Sequence, residues 1–395
     1  MMERLVSRLN PWWKGDGWED VDQDLKRYRD MNVRWVPSWI GDISIRPFSL
    51  NFIFGPRQIG KTTGVKLWIA GLLKSGFKPE SVFYFNCDFL ADMKDLMRVL
   101  EFYMRFRVEK GVKRSVIVLD EVTSVEYWWK PIKGYIDLGL FENDVIVALG
   151  SASFRIRRFA ESFPGRRGNG VDIAALPLSF GKFMEVHGLG GDYLEAEAMF
   201  TRYTETGGFP RSINRDGRFL EDFVSSVVRD VAKAGRSIRT FLQVMRKIIE
   251  KAPSPVGYHT IAGDLGLSHN TVRDYIELMQ DMFLLGVAYY MDPSGKVSLR
   301  REKKIFLRDP FIATAFASIL GVELRRDFLY EWIVQEHMYR RFGEIYYFRN
   351  SYEVDCIAGD MKVEVKAGKP HRKYPRSVIV LDEDSLPEFL LKLGV

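Results

Sequence analysis

Gly55-Pro56-Arg57-Gln58-Ile59-Gly60-Lys61-Thr62, lying directly behind the apolar run Ser49-Leu50-Asn51-Phe52-Ile53-Phe54, decides how the rest of the chain is read. The spacing is GxxxxGK[ST], in the order strand, loop, helix that phosphate binding demands. Gly55 and Gly60 permit a tight turn that aims successive N–H groups at phosphate oxygens, and the helix opening near Lys61 adds its positive N-terminus. Lys61 is then placed to reach the β- and γ-phosphates and the Thr62 hydroxyl to ligate Mg²⁺. Pro56, Arg57, Gln58, Ile59 and Thr63 complete the cradle for the phosphates of ATP.

Working outward, Arg114-Ser115-Val116-Ile117-Val118-Leu119-Asp120-Glu121 is a β-branched apolar run that ends in two carboxylates. Such a run reads as a buried parallel strand, and ligands sit at the carboxyl ends of parallel strands. Asp120 is therefore placed to hold Mg²⁺ through water, and Glu121 to orient or deprotonate the attacking water. Together with the loop, this pair implies ATP hydrolysis.

Five apolar runs, at 50–54, 82–86, 116–120, 145–151 and 172–176, alternate with helical patterns. The fold class this implies is α/β, with a parallel sheet covered on both faces. One strand intervenes between the phosphate loop and Asp120-Glu121, the element order of the additional-strand class of P-loop ATPases. The fourth run closes in Gly150-Ser151-Ala152-Ser153, where Ser151 is the candidate to sense the γ-phosphate or position water, with Ser153 or a plain turn as the alternatives. Arg155, Arg157, Arg158 and Arg166 follow; Arg166 is the candidate arginine for a neighbouring subunit's γ-phosphate, a role that would require a homo-oligomer, and a solvated charged loop is the other reading. Near the N-terminus, Arg34-Trp35-Val36-Pro37 has two readings, a segment that runs beside the nucleotide base and ordinary packing of Trp35.

At 395 residues the chain exceeds the size of one hydrophobic core, so two or three domains are expected. Its 46% hydrophobic and 28% charged content is that of a globular protein. No stretch approaches the ~20 apolar residues of a membrane span, and the charged N-terminus is unlike a signal peptide, so a cytoplasmic location and no membrane partner are expected. Cys87 and Cys356, both assigned to strands, lack metal-ligand spacing. Net charge of +6, with pI about 9.0, favours a polyanionic partner.

From 181 to 250 the pattern is helical, broken at Gly207-Gly208-Phe209-Pro210-Arg211. Residues 252 to about 310 read as a helix-turn-helix followed by a hairpin. Ser268 caps a helix whose polar side carries His269, Asn270 and Arg273 and whose buried stripe is Val272, Ile276 and Met279. The hairpin turns at Asp292-Pro293-Ser294-Gly295, and Lys296, Arg300, Arg301, Lys303 and Lys304 charge its return limb. A helix in the major groove with a basic wing on phosphates is one way to bind DNA, and plain packing is the other reading.

The last segment carries Glu331 and Glu336 on a helical stretch, then Glu353-Val354-Asp355, then Glu364-Val365-Lys366. Asp355 and Glu364 at adjacent strand ends can ligate a hard Mg²⁺ ion, with Lys366 activating water or steadying a phosphate.

Gly55 to Thr62, Val116 to Glu121, Gly150-Ser151-Ala152-Ser153, Pro164-Gly165-Arg166, Leu176 to Phe180, Gly207-Gly208-Phe209-Pro210, Lys304 to Pro310 and the two C-terminal acidic strands together resemble the archaeal ATPase family and its bacterial relatives. These are AAA+ type P-loop proteins with a C-terminal domain similar to restriction endonucleases. The resemblance implies a P-loop domain with an N-terminal extension over 1–180, a helical lid over 181–250, a winged helix over 251–310 and a nuclease-like domain over 311–395. It also implies that Pro210 packs near adenine and that Arg211 acts as the lid arginine on phosphates. Asp355, Glu364 and Lys366 match the nuclease-like pattern, with Glu331 or Glu336 as its fourth member. The Asp strand begins Glu353-Val354 where that pattern has proline, a departure that weighs against cleavage. The expected function is an ATP-hydrolysing enzyme acting on branched or structured DNA. A nucleotide-dependent switch engaging a protein and an ATPase-regulated Mg²⁺-dependent endonuclease remain the alternatives.

Overall fold

The computed structural model describes residues 2–150, 163–189, 195–350, 352–366, 368 and 374–395. They form two compact units, Met1–Leu176 and Pro177–Val395.

In the first unit the apolar runs become β1 (Ser49–Phe54), β2 (Val82–Asn86), β3 (Val116–Asp120), β4 (Val145–Gly150) and the short β5 (Asp172–Ala174). All pair in parallel, in the order β2-β3-β4-β1-β5. All three strands run in parallel, with β4 between β1 and β3 and Phe54 opposite Gly150, so the phosphate loop and Asp120 leave strands one apart at the same carboxyl edge of the sheet. Every residue of β1, β3 and β4 is buried, which is why these strands lack alternation.

The Trp-rich N-terminal stretch covers the exposed edge of β2. The buried Asn10 donates from Nδ2 to Tyr84 O at 2.9 Å and accepts from Tyr84 N at 2.7 Å, supplying the pairing of a missing strand. Trp12 and Trp13 both donate their indole N–H to Val82 O. Lys66, on the helix Lys61–Lys74, donates to Asp22 and Asp24 at 2.6 Å each, and this ties the preceding segment to that helix. Gly64 is required there. A Cβ at that position would stand 2.5 Å from the Trp39 ring.

The second unit begins with helices Phe180–Val186, Ala196–Thr206, Pro210–Ile213, Phe219–Lys233 and Ile238–Lys251. Next comes the helix-turn-helix, Tyr258–Leu265 and His269–Asp281, turning at Gly266 with φ +64° and capped by Ser268 Oγ, which accepts from Thr271 N at 3.0 Å. The hairpin is β6 (Leu285–Met291) with β7 (Val297–Leu307), and it is followed by helices Pro310–Leu320 and Arg326–Phe342. The chain closes with β8 (Tyr346–Arg349), β9 (Glu353–Ala358), β10 (Met361–Val365), β11 (Ile379–Leu381) and the helix Leu386–Leu393. These strands make one mixed sheet ordered β11-β10-β9-β8-β6-β7, so the hairpin and the C-terminal strands share a single layer.

Two expectations change. Cys87 opens a short 3-10 turn just after β2, because Asn86 has already bent the chain by accepting from Asp88 N; Cys356 does lie in β9, and both thiols are free and buried. On β7, Lys303 and Lys304 are both buried, so they add little to a basic surface.

Candidate functional site

The loop between β1 and the helix Lys61–Lys74 is shaped by its backbone. Gly60 has φ +88° and Gln58 φ +58°. At Gly55 a Cβ would come within 2.0 Å of Ala175 O, so only glycine lets the loop leave β1 here. Lys61, although buried, donates from Nζ to Gly55 O and Pro56 O at 2.9 Å each. Its ammonium is thereby held by carbonyls of the loop that phosphates would occupy.

Thr62 Oγ1 donates to Asp120 Oδ2 at 2.6 Å, and the Tyr84 hydroxyl donates to the same oxygen at 2.8 Å. Burial and the neighbouring Glu121 charge raise the Asp120 pKa from its ordinary value, while Thr62, Tyr84 and Lys61 oppose the shift. Tyr84 was not singled out from sequence, yet it lies on β2 beside β3, where only the strand register brings it to Asp120. Glu121 adopts φ +48°, an uncommon conformation for a non-glycine residue, and its Oε1 lies 3.6 Å from Arg57 Nη1. The loop therefore touches the candidate base directly. A threonine hydroxyl beside a carboxylate is a donor set suited to a hard cation, so Thr62 and Asp120 fit Mg²⁺.

Arg166 is held within the unit: Nε donates to Asp137 Oδ1 at 2.5 Å and Nη1 to Pro164 O at 3.2 Å. Ser151, Ser153, Arg155, Arg157 and Arg158 lie outside the described residues.

In the second unit Pro210 begins a one-turn helix, and Arg211 donates to Asp216 at 2.7 Å and Asp222 at 2.6 Å while lying over the Phe219 ring. The Gly207-Gly208 turn before it is clamped by the buried Asp309, whose two oxygens accept from Gly208 N at 2.9 Å and Phe311 N at 2.8 Å. Burial pushes the Asp309 carboxyl up to about 7.

On the helix-turn-helix, Asn270 and Arg273 are exposed, His269 is half-buried, and Val272, Ile276 and Met279 are buried as the spacing requires. The register of β6 and β7 slips from Tyr289 opposite Lys303 to Tyr290 opposite Ser298, so residues 299–302 bulge out. Arg300 and Arg301 sit on that bulge and are exposed, as is Lys296 at the turn. Arg301 stacks on Tyr290, and Lys303 Nζ caps the bulge by donating to Leu299 O and Arg301 O.

The C-terminal acids are arranged differently from the sequence-based expectation. Asp355 Oδ2 accepts from Val365 N at 2.8 Å, which places it beside β10. Glu364 is fully buried, ion-paired with Lys366 and hydrogen-bonded by the Tyr374 hydroxyl at 3.0 Å; burial and the Asp355 charge push its pKa up to about 7. Glu336 is not the fourth member. Arg308 engages both its oxygens, at 2.9 and 3.0 Å, and Arg340 adds a third bond at 2.7 Å, on the opposite side of the helix from the cluster. Glu331 faces the cluster instead, and Lys304 Nζ comes with it. The ammonium lies 2.9 Å from Glu331 Oε1, 2.9 Å from Glu353 Oε1 and 2.5 Å from Asp355 Oδ1. Among the described residues no group of three or more His, Cys, Asp or Glu side chains is arranged to hold a metal. The residues at this second site do not fit Mg²⁺.

Among known proteins, residues 48–184 match the family model of an AAA domain, and residues 197–323 match that of a domain of unknown function. An uncharacterized protein of Haemophilus influenzae is 24% identical over 279 residues, spanning 66% of this chain and 67% of its own. The structure of the Aeropyrum pernix ORC2 protein in ADPNP–ADP complexes aligns with a TM-score of 0.39 at 11% identity, covering 69% of this chain and 88% of that one. The replication initiator DnaA bound to AMPPCP and single-stranded DNA aligns with a TM-score of 0.29 at 18% identity, over 71% and 91%. No helix among the described residues is long and apolar enough to cross a membrane.

Proposed function

We propose that the chain is an ATP-hydrolysing enzyme that works on DNA, with ATP bound at the loop Gly55–Thr63. The observation that carries the ATPase reading is the 2.6 Å bond from Thr62 to Asp120, which joins the end of β3 to the start of the loop's helix. Thr62 and Asp120 would hold Mg²⁺, whose charge would offset that of the phosphates. Lys61 exchanges its two carbonyl partners for phosphate oxygens, the stronger acceptors. Glu121 accepts a proton from the attacking water once its contact with Arg57 loosens. The match of residues 48–184 to an AAA domain supports this assignment, since it includes both the loop and Asp120-Glu121.

For DNA, the support is the exposed set Asn270, Arg273, Lys296, Arg300 and Arg301 together with the net charge of +6. Branched or structured duplex is the expected substrate, and assembly of several copies would let Arg166 leave Asp137 for a neighbour's nucleotide. The Arg57 contact favours a second reading, a slow nucleotide-dependent switch that engages a protein. ATP turnover measured with and without duplex, forked and four-way DNA, alongside binding across a salt series, separates the two. DNA-stimulated turnover and a log–log salt slope that drops by about 1 for each of Lys296→Ala, Arg300→Ala and Arg301→Ala support the DNA reading. No affinity at low salt removes it.

A further inference from the structure

We infer that Lys304 is the resident cation of the C-terminal carboxylate cluster, occupying with its ammonium the place where a divalent metal would sit. The second unit therefore holds its acids together without metal, and the cluster joins β7 to β9 and to the helix Arg326–Phe342 instead of cutting phosphodiesters. The inference does not depend on the ATPase reading.

Three lines of geometry lead there. An ammonium has three hydrogens, and Lys304 has three carboxylate oxygens around it, one each from Glu331, Glu353 and Asp355. The oxygens are themselves held in place: Asp355 by Val365 N–H, and Glu331 by Gln335 Nε2, which donates to Oε1 at 3.0 Å and also to Asp355 O at 3.1 Å. Gln335 is fully buried and its Oε1 finds no partner among the described residues, so a spare oxygen remains beside the acids. Finally, Lys304 is only 2% exposed. Burial opposes its charge, yet Asp355, Glu331 and Glu353 together keep its pKa well above the ordinary lysine range. A tethered ammonium in that position excludes Mg²⁺ by both volume and charge.

The other acids of the expected quartet are matched in the same way, Glu364 by Lys366 and Glu336 by Arg308 and Arg340. Each acid meets a basic side chain of its own chain. Oxygen ligands arranged around one central charge are also what Mn²⁺ or Mg²⁺ requires. Deleting the ammonium should thus create a metal site that the parent lacks.

The test is calorimetric titration of the full-length, nucleotide-free protein with Mn²⁺. The parent should show no binding that Asp355→Asn removes, and Lys304→Ala should gain one equivalent that is lost again in Lys304→Ala/Asp355→Asn. If Lys304→Ala is poorly folded, added Mn²⁺ should restore its cooperative melting, whereas Lys304→Arg should melt cooperatively without metal. The inference is overturned if the parent binds Mn²⁺ at a site abolished by Asp355→Asn, if it nicks plasmid DNA in an Asp355-dependent manner, or if folded Lys304→Ala takes up no Mn²⁺.

Discussion

The two carboxylate centres of this protein each pair acids with a buried lysine, but they use the lysine in opposite ways. At the end of β3, Asp120 is held by hydroxyls of Thr62 and Tyr84, and Lys61 donates to the backbone carbonyls of Gly55 and Pro56. Within β9, Asp355 is ion-paired with Lys304, as are its neighbours Glu331 and Glu353. Neutral partners keep a site ready for a charged ligand, and a tethered counter-ion closes it.

Stability should separate the two lysines most strongly. Lys304→Ala leaves buried acids without their cation and should cost about 3–5 kcal/mol in denaturant unfolding. Lys61→Ala takes one donor from the buried Gly55 and Pro56 carbonyls, so it should cost about 1–3 kcal/mol while removing nucleotide binding. Equal losses would break the contrast.

Asp309 sharpens the comparison because it lies in the second unit yet is hydrogen-bonded, like Asp120, by neutral groups. Its pKa of about 7 lies above the unfolded value of about 3.9. Between those values the folded state holds a proton that the unfolded state lacks, so this group's contribution to stability falls as pH rises through the window. Asp309→Asn removes that slope. It also loses one acceptor for Gly208 N or Phe311 N, at a cost of about 1–3 kcal/mol. Urea midpoints of parent and variant, measured from about pH 5 to about pH 8, should converge as pH rises; parallel curves would show that Asp309 is ionised throughout.

How far the sequence could be read follows the same division. Continuous apolar runs identify the parallel strands because a strand buried on both faces has no other composition, and GxxxxGK[ST] places its ligands within one loop. Asp120 was legible because it ends such a run. Tyr84 was not, since its partnership depends on register across strands 36 residues apart in sequence. Likewise Glu331 and Glu336 are indistinguishable in sequence. Five positions apart, they project to opposite sides of one helix, and only the packing shows Glu331 toward β9 and Glu336 toward Arg308. Lys304 misled for the opposite reason: adjacent to exposed Arg300 and Arg301, it read as part of a basic wing. The four-residue bulge and the burial of β7 from Lys303 onward leave no mark in composition.

The most direct measurement of the central claim is single-turnover ATP hydrolysis by Glu121→Gln beside the parent, with Mg²⁺ present and nucleotide binding followed on the same samples. The account predicts that the variant binds ATP as the parent does and hydrolyses it about 10²-fold more slowly or worse. Equal hydrolysis by the two proteins, or failure of the parent to bind ATP, would contradict it.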